Sequence, residues 1–489
     1  MEQLCQQNLS KLGSSVALPG YLSAPPKAGI VHLGLGQFAK AHLACYMDSV
    51  MDEGGGDWRI VGASLQSSTA LERLQPQDNL FTVTSQSADV TAVRVIGSVA
   101  EVIAVSSGGR ERLLDRLTDP SIHIVSLTVT EKGYYLNALG ELDFSHPAIR
   151  ADLIAPDRPN TAIGWVVLAA KYRQAIGAPP FTALSLDNLI GNGRVLRRVV
   201  LAFASRVDST LAEYIESHVA FPSSMVDRIV PALDADALAA TRQSIGMIDD
   251  ACVLTEAFSQ WVVEDRFVTS RPAWEKAGVI FCEDVAAFET MKLRLLNGAH
   301  SALAYIGILL GHRTVADCMD DPALRSFIES LMRIEIQPEV VPPVGFDLDP
   351  YIGQLLERFS NPHLRHLCSQ IAMDGSQKIP QRLLPLLEER LLKGSGIHRL
   401  VFTLAAWMIF IEQQEPLLDP LGSKLKALAA NNNDAGLVSA LLTSSGVFSK
   451  ALRNSMRLRL ALTTAVVDIR QLGVAMALTK CVNSEGKST

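Results

Sequence analysis

The sequence predicts an α/β fold: an N-terminal domain with a mostly parallel sheet over residues 1–284, followed by a mainly α-helical domain over 285–489. Three observations carry this expectation. Short apolar runs alternate with helical patterns through the first half, as the strands and crossover helices of a parallel sheet do. A glycine-rich turn closes the first of those runs. Beyond Asp284 the strand signals stop, and Leu- and Ala-rich segments break at Pro342-Pro343, Ser360-Asn361-Pro362 and Lys393-Gly394-Ser395-Gly396.

Residues before Lys27 are polar, punctuated by Gly, Ser and Pro, and read as a lead-in arm outside the core. The first strand, Gly29 to Leu33, runs into Gly34-Leu35-Gly36-Gln37-Phe38-Ala39, a G-x-G-x-x-A turn that opens a helix. Each position has a physical reason: Gly34 permits the tight turn, Gly36 lets backbone approach a pyrophosphate, and Ala39 lets helix pack closely on strand. The helix would direct its free N–H groups at the phosphates. Further strands are read at Trp58 to Ser64, Val93 to Gly97, His123 to Thr130, Phe181 to Leu186 and Gly278 to Phe281.

Ligands of parallel sheets sit at the carboxyl ends of the strands. Two polar clusters fall at such ends: Thr130-Glu131-Lys132-Gly133-Tyr134, and Asp187-Asn188 with Asn192-Gly193. Turn chemistry or helix capping also accounts for Asp187-Asn188. After the second strand, Ser64-Leu65-Gln66-Ser67-Ser68 offers neither the acid that usually holds an NAD ribose nor an Arg for a 2′-phosphate.

At 489 residues, 48% hydrophobic and 19% charged, the chain can fill at least two cores. A net charge of −7 argues against nucleic acid and anionic membrane as partners. Seven scattered cysteines without a C-x-x-C pair argue against a disulfide framework or zinc knuckle and fit a reducing, cytoplasmic setting. No basic-then-apolar leader opens the sequence, and the tracts Ala302 to Leu310 and Leu400 to Ile411 read as too short to cross a bilayer.

The chemistry concentrates on one predicted helix, Phe288 to Tyr305, where Met, Leu and Ala dominate and no Pro intervenes. At roughly 100° per residue, Glu289, Lys292, Asn297 and His300 fall within about 140° of arc, so one side presents all four. A lysine beside apolar Leu295 and Leu296 can lose its proton far below its ordinary pKa and so exchange one near neutral pH. Asn297 can donate to an oxygen that gains negative charge, and His300 can orient a hydroxyl. Together they suit carbonyl/alcohol interconversion by hydride transfer; a surface-facing polar stripe on an amphipathic helix has the same spacing. Further on, Glu357 to His366 and Gln370 to Arg382 gather Arg, His and Lys in an apolar half, as an oxygen-rich or anionic substrate needs. Solvated helix charge is the other reading for Lys378 and Arg382. His363 and His366 lack the companions that a metal site requires, so no metal is expected.

Taken in order, these motifs resemble the mannitol dehydrogenase family, the polyol-specific long-chain dehydrogenases/reductases, from Ile30 to about Leu384. The matching residues are Gly34-x-Gly36-x-Phe38 with Ala41-His42, Thr128 to Tyr134, Asp187-Asn188 with Asn192-Gly193, Met225 to Ile229, Lys292-x4-Asn297-x2-His300 and Asp374 to Lys378. Ala39-Lys40 departs from the family's usual His-Arg. The resemblance implies a metal-independent oxidoreductase using NAD, with NADP as the alternative, and a Rossmann-type N-terminal domain ahead of a helical substrate domain. It implies Lys292 as general acid/base, Asn188 and Asn297 on the carbonyl or alkoxide oxygen, His300 positioning substrate, and Glu289 connecting the lysine to solvent. Asp227, Lys378 and Arg365 are the expected substrate contacts; Gly34, Gly36, Phe38, Lys40, Ser64, Thr128 and Glu131 are the expected cofactor contacts.

Within the family the similarity leans, through Ile124 to Tyr134 and Ser360 to His366, to the branch that interconverts a keto sugar acid and its alcohol (fructuronate/mannonate type). Gln370 stands where a hexitol enzyme would carry Arg, and a uronate carboxylate would find a cation in Arg365, Lys378 or Arg382. Tagaturonate, or an uncharged pair such as mannitol and fructose, is the alternative substrate. A nucleotide-binding regulator without catalysis is the remaining reading.

Overall fold

The computed structural model describes residues 1–233, 235–430 and 432–483. They belong to two compact units, Met1–Ala286 and Ala287–Thr489.

In the first unit five strands make one parallel sheet, in spatial order Val99–Ala104, Arg59–Ser64, Ala28–Leu33, Ile124–Leu127 and Thr182–Ser185. Numbered along the chain this is 3-2-1-4-5, the doubly wound Rossmann order, which reverses at Ala28–Leu33. Side-chain alternation splits the core in two. Val31, Leu33, Val61, Ala63, Val125 and Leu127 pack on one face with Trp165 and Phe203. Ile30, Ile60, Ile124 and Leu184 pack on the other with Met47, Val50 and Trp261. Burial on both faces makes each strand a continuous apolar run instead of an alternating one.

Two of the strands read from sequence lie outside this sheet. Thr91–Ile96 runs antiparallel to Phe81–Gln86 in a mixed four-stranded sheet, and Ile280–Cys282 joins Gln260–Glu264 and Ser224–Asp227 in a three-stranded one. An isolated run reads alike whichever way its partner points, because the partner sets pairing. The N-terminal stretch is likewise no loose arm. Glu2–Gln3 pairs with Met247–Ile248, Val16–Ala17 pairs with Thr91–Ile96, and Leu4 and Val16 are buried against Leu80, Val95 and Ile245. Apolar residues set singly among polar ones do this work, Leu4 and Val16 with Leu9, Leu12 and Leu22 packed beside them, and averaged composition hides them.

The described elements of the second unit are helices. The predicted catalytic helix runs from Ala286 to Leu310, but Lys292–Asn297 is a π-helix between the α-helices Ala286–Met291 and Gly298–Leu310. At 25 residues this run is long and apolar enough to span a bilayer, contrary to the sequence expectation, yet 67% of its apolar window is buried inside the protein. A core helix meets the same length and composition test.

Candidate active site

The turn after Ala28–Leu33 sits where the strand order reverses, the position at which doubly wound sheets hold nucleotides. Gly34 has φ +98°, and a Cβ there would stand 2.2 Å from the Thr128 carbonyl oxygen, so no side chain is tolerated. At Gly36, which caps Gln37–Ala41, an added Cβ would meet nothing nearer than the Gly34 oxygen at 3.9 Å. That open space over bare backbone fits the pyrophosphate of a dinucleotide. Thr128 Oγ1 donates to the Gly34 carbonyl at 2.7 Å. The His32 ring is 2.8 Å from Ser126 Oγ and 2.9 Å from Thr128 Oγ1, and burial lowers its pKa to about 4. A neutral imidazole therefore ties the first strand to the fourth beneath the turn.

The other expected cofactor residues are spread around this turn. Phe38 stacks on His42 with ring centroids 5.1 Å apart. Ser64 is half-buried at its strand end, and Glu131 is exposed in the short turn Glu131–Tyr134. Lys40 makes a different contact from the expected one. Its Nζ donates to the Ala251 carbonyl at 2.7 Å and lies 5.5 Å from the Phe81 ring, and burial lowers its pKa to about 8. The helix face that carries it turns inward, which the sequence pattern did not distinguish from a face turned to phosphate.

Asn188 is exposed beyond the end of Thr182–Ser185, whereas Asp227 is buried as the last residue of Ser224–Asp227. Buried Asn192 links these ends: its Nδ2 donates to the carbonyls of Asp187 at 2.9 Å and Ser224 at 2.8 Å, and its Oδ1 accepts from the Ser224 amide at 2.9 Å. Asp187 and Asn192, named in the sequence as members of a strand-end cluster, act here as organisers, a part that sequence does not separate from turn chemistry because buried caps and exposed turn residues share the same amino acids.

In the helical unit Glu289, Lys292 and His300 are all buried, which removes the surface-stripe reading. His300 packs on Phe359 with ring centroids at 4.7 Å and edge-on against His366 at 5.3 Å. Burial, then the charges of His366, Arg382, Arg358 and Lys292, hold its pKa well below the ordinary histidine value. His366 is lowered to about 4 by burial and by Lys378. Arg382 Nη1 donates to Ser301 Oγ at 3.3 Å, and Lys378 Nζ to the Ile371 carbonyl at 3.1 Å. Arg365, expected to touch substrate, is exposed, while Arg358, part of the cationic run Glu357 to His366 but not singled out within it, is buried near His300. Its signal was an arginine on the apolar face of a helix, Leu348–Phe359.

Residues 28–276 match the mannitol dehydrogenase Rossmann domain, and residues 284–470 match the mannitol dehydrogenase C-terminal domain. The chain is 40% identical over 468 residues to the D-mannonate oxidoreductase of Escherichia coli K12, covering 94% of this chain and 96% of that one. It is 38% identical over 502 residues to the mannitol 2-dehydrogenase of Aspergillus fumigatus Af293, covering 98% and 99%. Among solved structures, the ternary complex of Pseudomonas fluorescens mannitol 2-dehydrogenase with NAD and D-mannitol superposes with a TM-score of 0.87 at 37% identity, covering 99% of this chain and 100% of that one. With family matches in both halves and relatives aligned end to end, the chain belongs to the mannitol dehydrogenase family of oxidoreductases acting on CH–OH groups.

Proposed function

We propose that this oxidoreductase uses NAD to interconvert a keto sugar acid and its alcohol, of the fructuronate/mannonate type, with Lys292 as general acid/base. One observation supports the acid substrate above the rest: Arg358, Arg382 and Lys292 all place positive charge on a buried, neutral His300, with Lys378 acting on the neighbouring His366. A group of cations around one histidine suits a substrate that carries a carboxylate, with which guanidinium and ammonium groups make charge-assisted hydrogen bonds.

Bound NAD supplies the hydride chemistry, and the Gly34–Gly36 turn would hold its pyrophosphate. In reduction, Lys292 Nζ gives its proton to the oxygen that becomes the alcohol; in oxidation it takes that proton back. Asn297 and Asn188 are each assigned to donate to a substrate oxygen as it gains charge. Nε2 of His300 is buried without a hydrogen-bond partner among the described residues, so it is available to a substrate hydroxyl. Glu289, three residues before Lys292, passes the proton to and from solvent. Asp227 binds a further hydroxyl.

A second reading, an uncharged polyol and its ketose, draws support from the 37% to 38% identity to mannitol 2-dehydrogenases. Initial rates with fructuronate, tagaturonate and fructose, each with NADH and NADPH, decide between them. The acid reading expects kcat/KM for a keto acid to exceed that for fructose by about 100-fold, the worth of one buried charge-assisted contact. Equal or better turnover of fructose overturns it.

A further inference from the structure

Thr130 has φ +63° and ψ 166°. For a β-branched residue this is a true outlier, in a region that essentially only glycine enters, and such a backbone persists only where its surroundings over-determine it. The surroundings here are one carboxylate. Asp187 Oδ1 accepts from the Thr130 amide at 2.8 Å, and Oδ2 accepts from the Val129 amide at 3.1 Å and from the Tyr134 hydroxyl at 2.8 Å. Asp187 thus grips the strained residue from both sides, through the two amides leading into it and the tyrosine that closes the turn. Tyr134 and Asp187 are both buried, and Tyr134 Oη lies 2.6 Å from Ser185 Oγ.

The same aspartate is held at its backbone. Its carbonyl accepts from Asn192 Nδ2 at 2.9 Å and from the Leu189 amide at 2.9 Å, so the peptide leading to Asn188 is fixed from two directions. Asn188 itself is exposed, on a turn whose backbone is held at the Asp187 carbonyl. Strain stored beside a strand-end residue of this kind marks preorganisation more often than accident.

We propose that Asp187 is the positioning residue for Asn188: its carboxylate holds Thr130 in a glycine-like conformation, and that locked turn fixes where Asn188 presents its amide. The inference rests on the role of Asn188 proposed above. It goes beyond it by naming what makes an exposed asparagine a preorganised donor, and it predicts coupling between residues 130 and 187 in catalysis.

The test is a double-mutant cycle read by kcat, KM, melting temperature and NADH dissociation constant. Asp187→Asn keeps the shape of the side chain but loses the charge that accepts three bonds. It should lower kcat by about 100-fold, the effect of misplacing a reacting group by about 1 Å, while the NADH dissociation constant changes by less than about 3-fold. Thr130→Gly in that background should recover kcat by about 10-fold, because glycine adopts the required φ without being held. A kcat within about 3-fold of wild type for Asp187→Asn overturns the proposal. So does a Thr130→Gly rescue of melting temperature without rescue of kcat, since the carboxylate would then serve folding alone. Should Asp187→Asn fail to fold, Tyr134→Phe removes one of the three donors and should lower kcat by about 5-fold, with an unchanged kcat counting against the idea. Asn188→Ala, measured in parallel, separates the two levels: if it retains full turnover, the role of Asn188 fails irrespective of Asp187.

Discussion

Lys292 and Asn297 stand at the two ends of a single π-helical turn. In an α-helix five residues rotate the chain by about 500°, which would leave the two side chains roughly 140° apart. The i→i+5 bonding of a π turn brings residues five apart nearly into register. The turn therefore gathers amine and amide onto one face more tightly than the regular helix read from the sequence could. Single π turns recur at functional sites for this kind of reason.

Lys292→Ala should cost about 100- to 10,000-fold in kcat, the range for a positioned general acid/base, with NADH affinity unchanged because Lys292 is not among the groups assigned to hold the dinucleotide. Stopped-flow turnover and fluorescence titration read the two quantities separately. Retained turnover removes the lysine from the mechanism.

The two glycines of the nucleotide turn should fail in different ways. Gly34→Ala forces a Cβ to 2.2 Å from the Thr128 oxygen at φ +98°, and should destabilise the fold by at least about 2 kcal/mol in chemical denaturation. Gly36→Ala adds a methyl into open space at an ordinary φ of −98°, so stability should stay within about 0.5 kcal/mol while NADH affinity falls about 10-fold or more.

Lys40→Met should leave the NADH dissociation constant within about 2-fold, since the amine is engaged with the Ala251 carbonyl and its carbon stem packs as methionine would. A large loss of NADH affinity would return Lys40 to the phosphate site.

His32, His300 and His366 all titrate below the ordinary value of 6.5, His32 and His366 at about 4. Each binds its proton more readily unfolded than folded in that interval, so stability rises with pH there and is lost as pH falls from about 6.5 towards 4. For His32 and His366 the loss should approach about 3 kcal/mol each by pH 4. Melting temperatures between pH 7.5 and pH 4.5, compared with those of His32→Gln, measure the contribution of His32; a flat profile contradicts it.

What the sequence determined alone was local and chemical. Runs buried on two faces announced the parallel strands, a glycine turn after the first of them announced a nucleotide, and the spacing of Lys292, Asn297 and His300 marked the helix to which proton transfer is assigned. These features are legible because neighbours in the chain impose them. Tertiary structure decided what depends on residues far apart in the chain. It set Thr91–Ile96 in a second sheet, buried Leu4 and Val16 out of a polar arm, and turned Lys40 toward Ala251. It brought Arg358, Arg382 and His366 around His300, and put the Asp187 carboxylate on a strained Thr130 57 residues away. Propensity and periodicity carry no term for such partners, because burial, strain and the lowered basicity of a histidine are set by which groups the fold brings within a few ångströms.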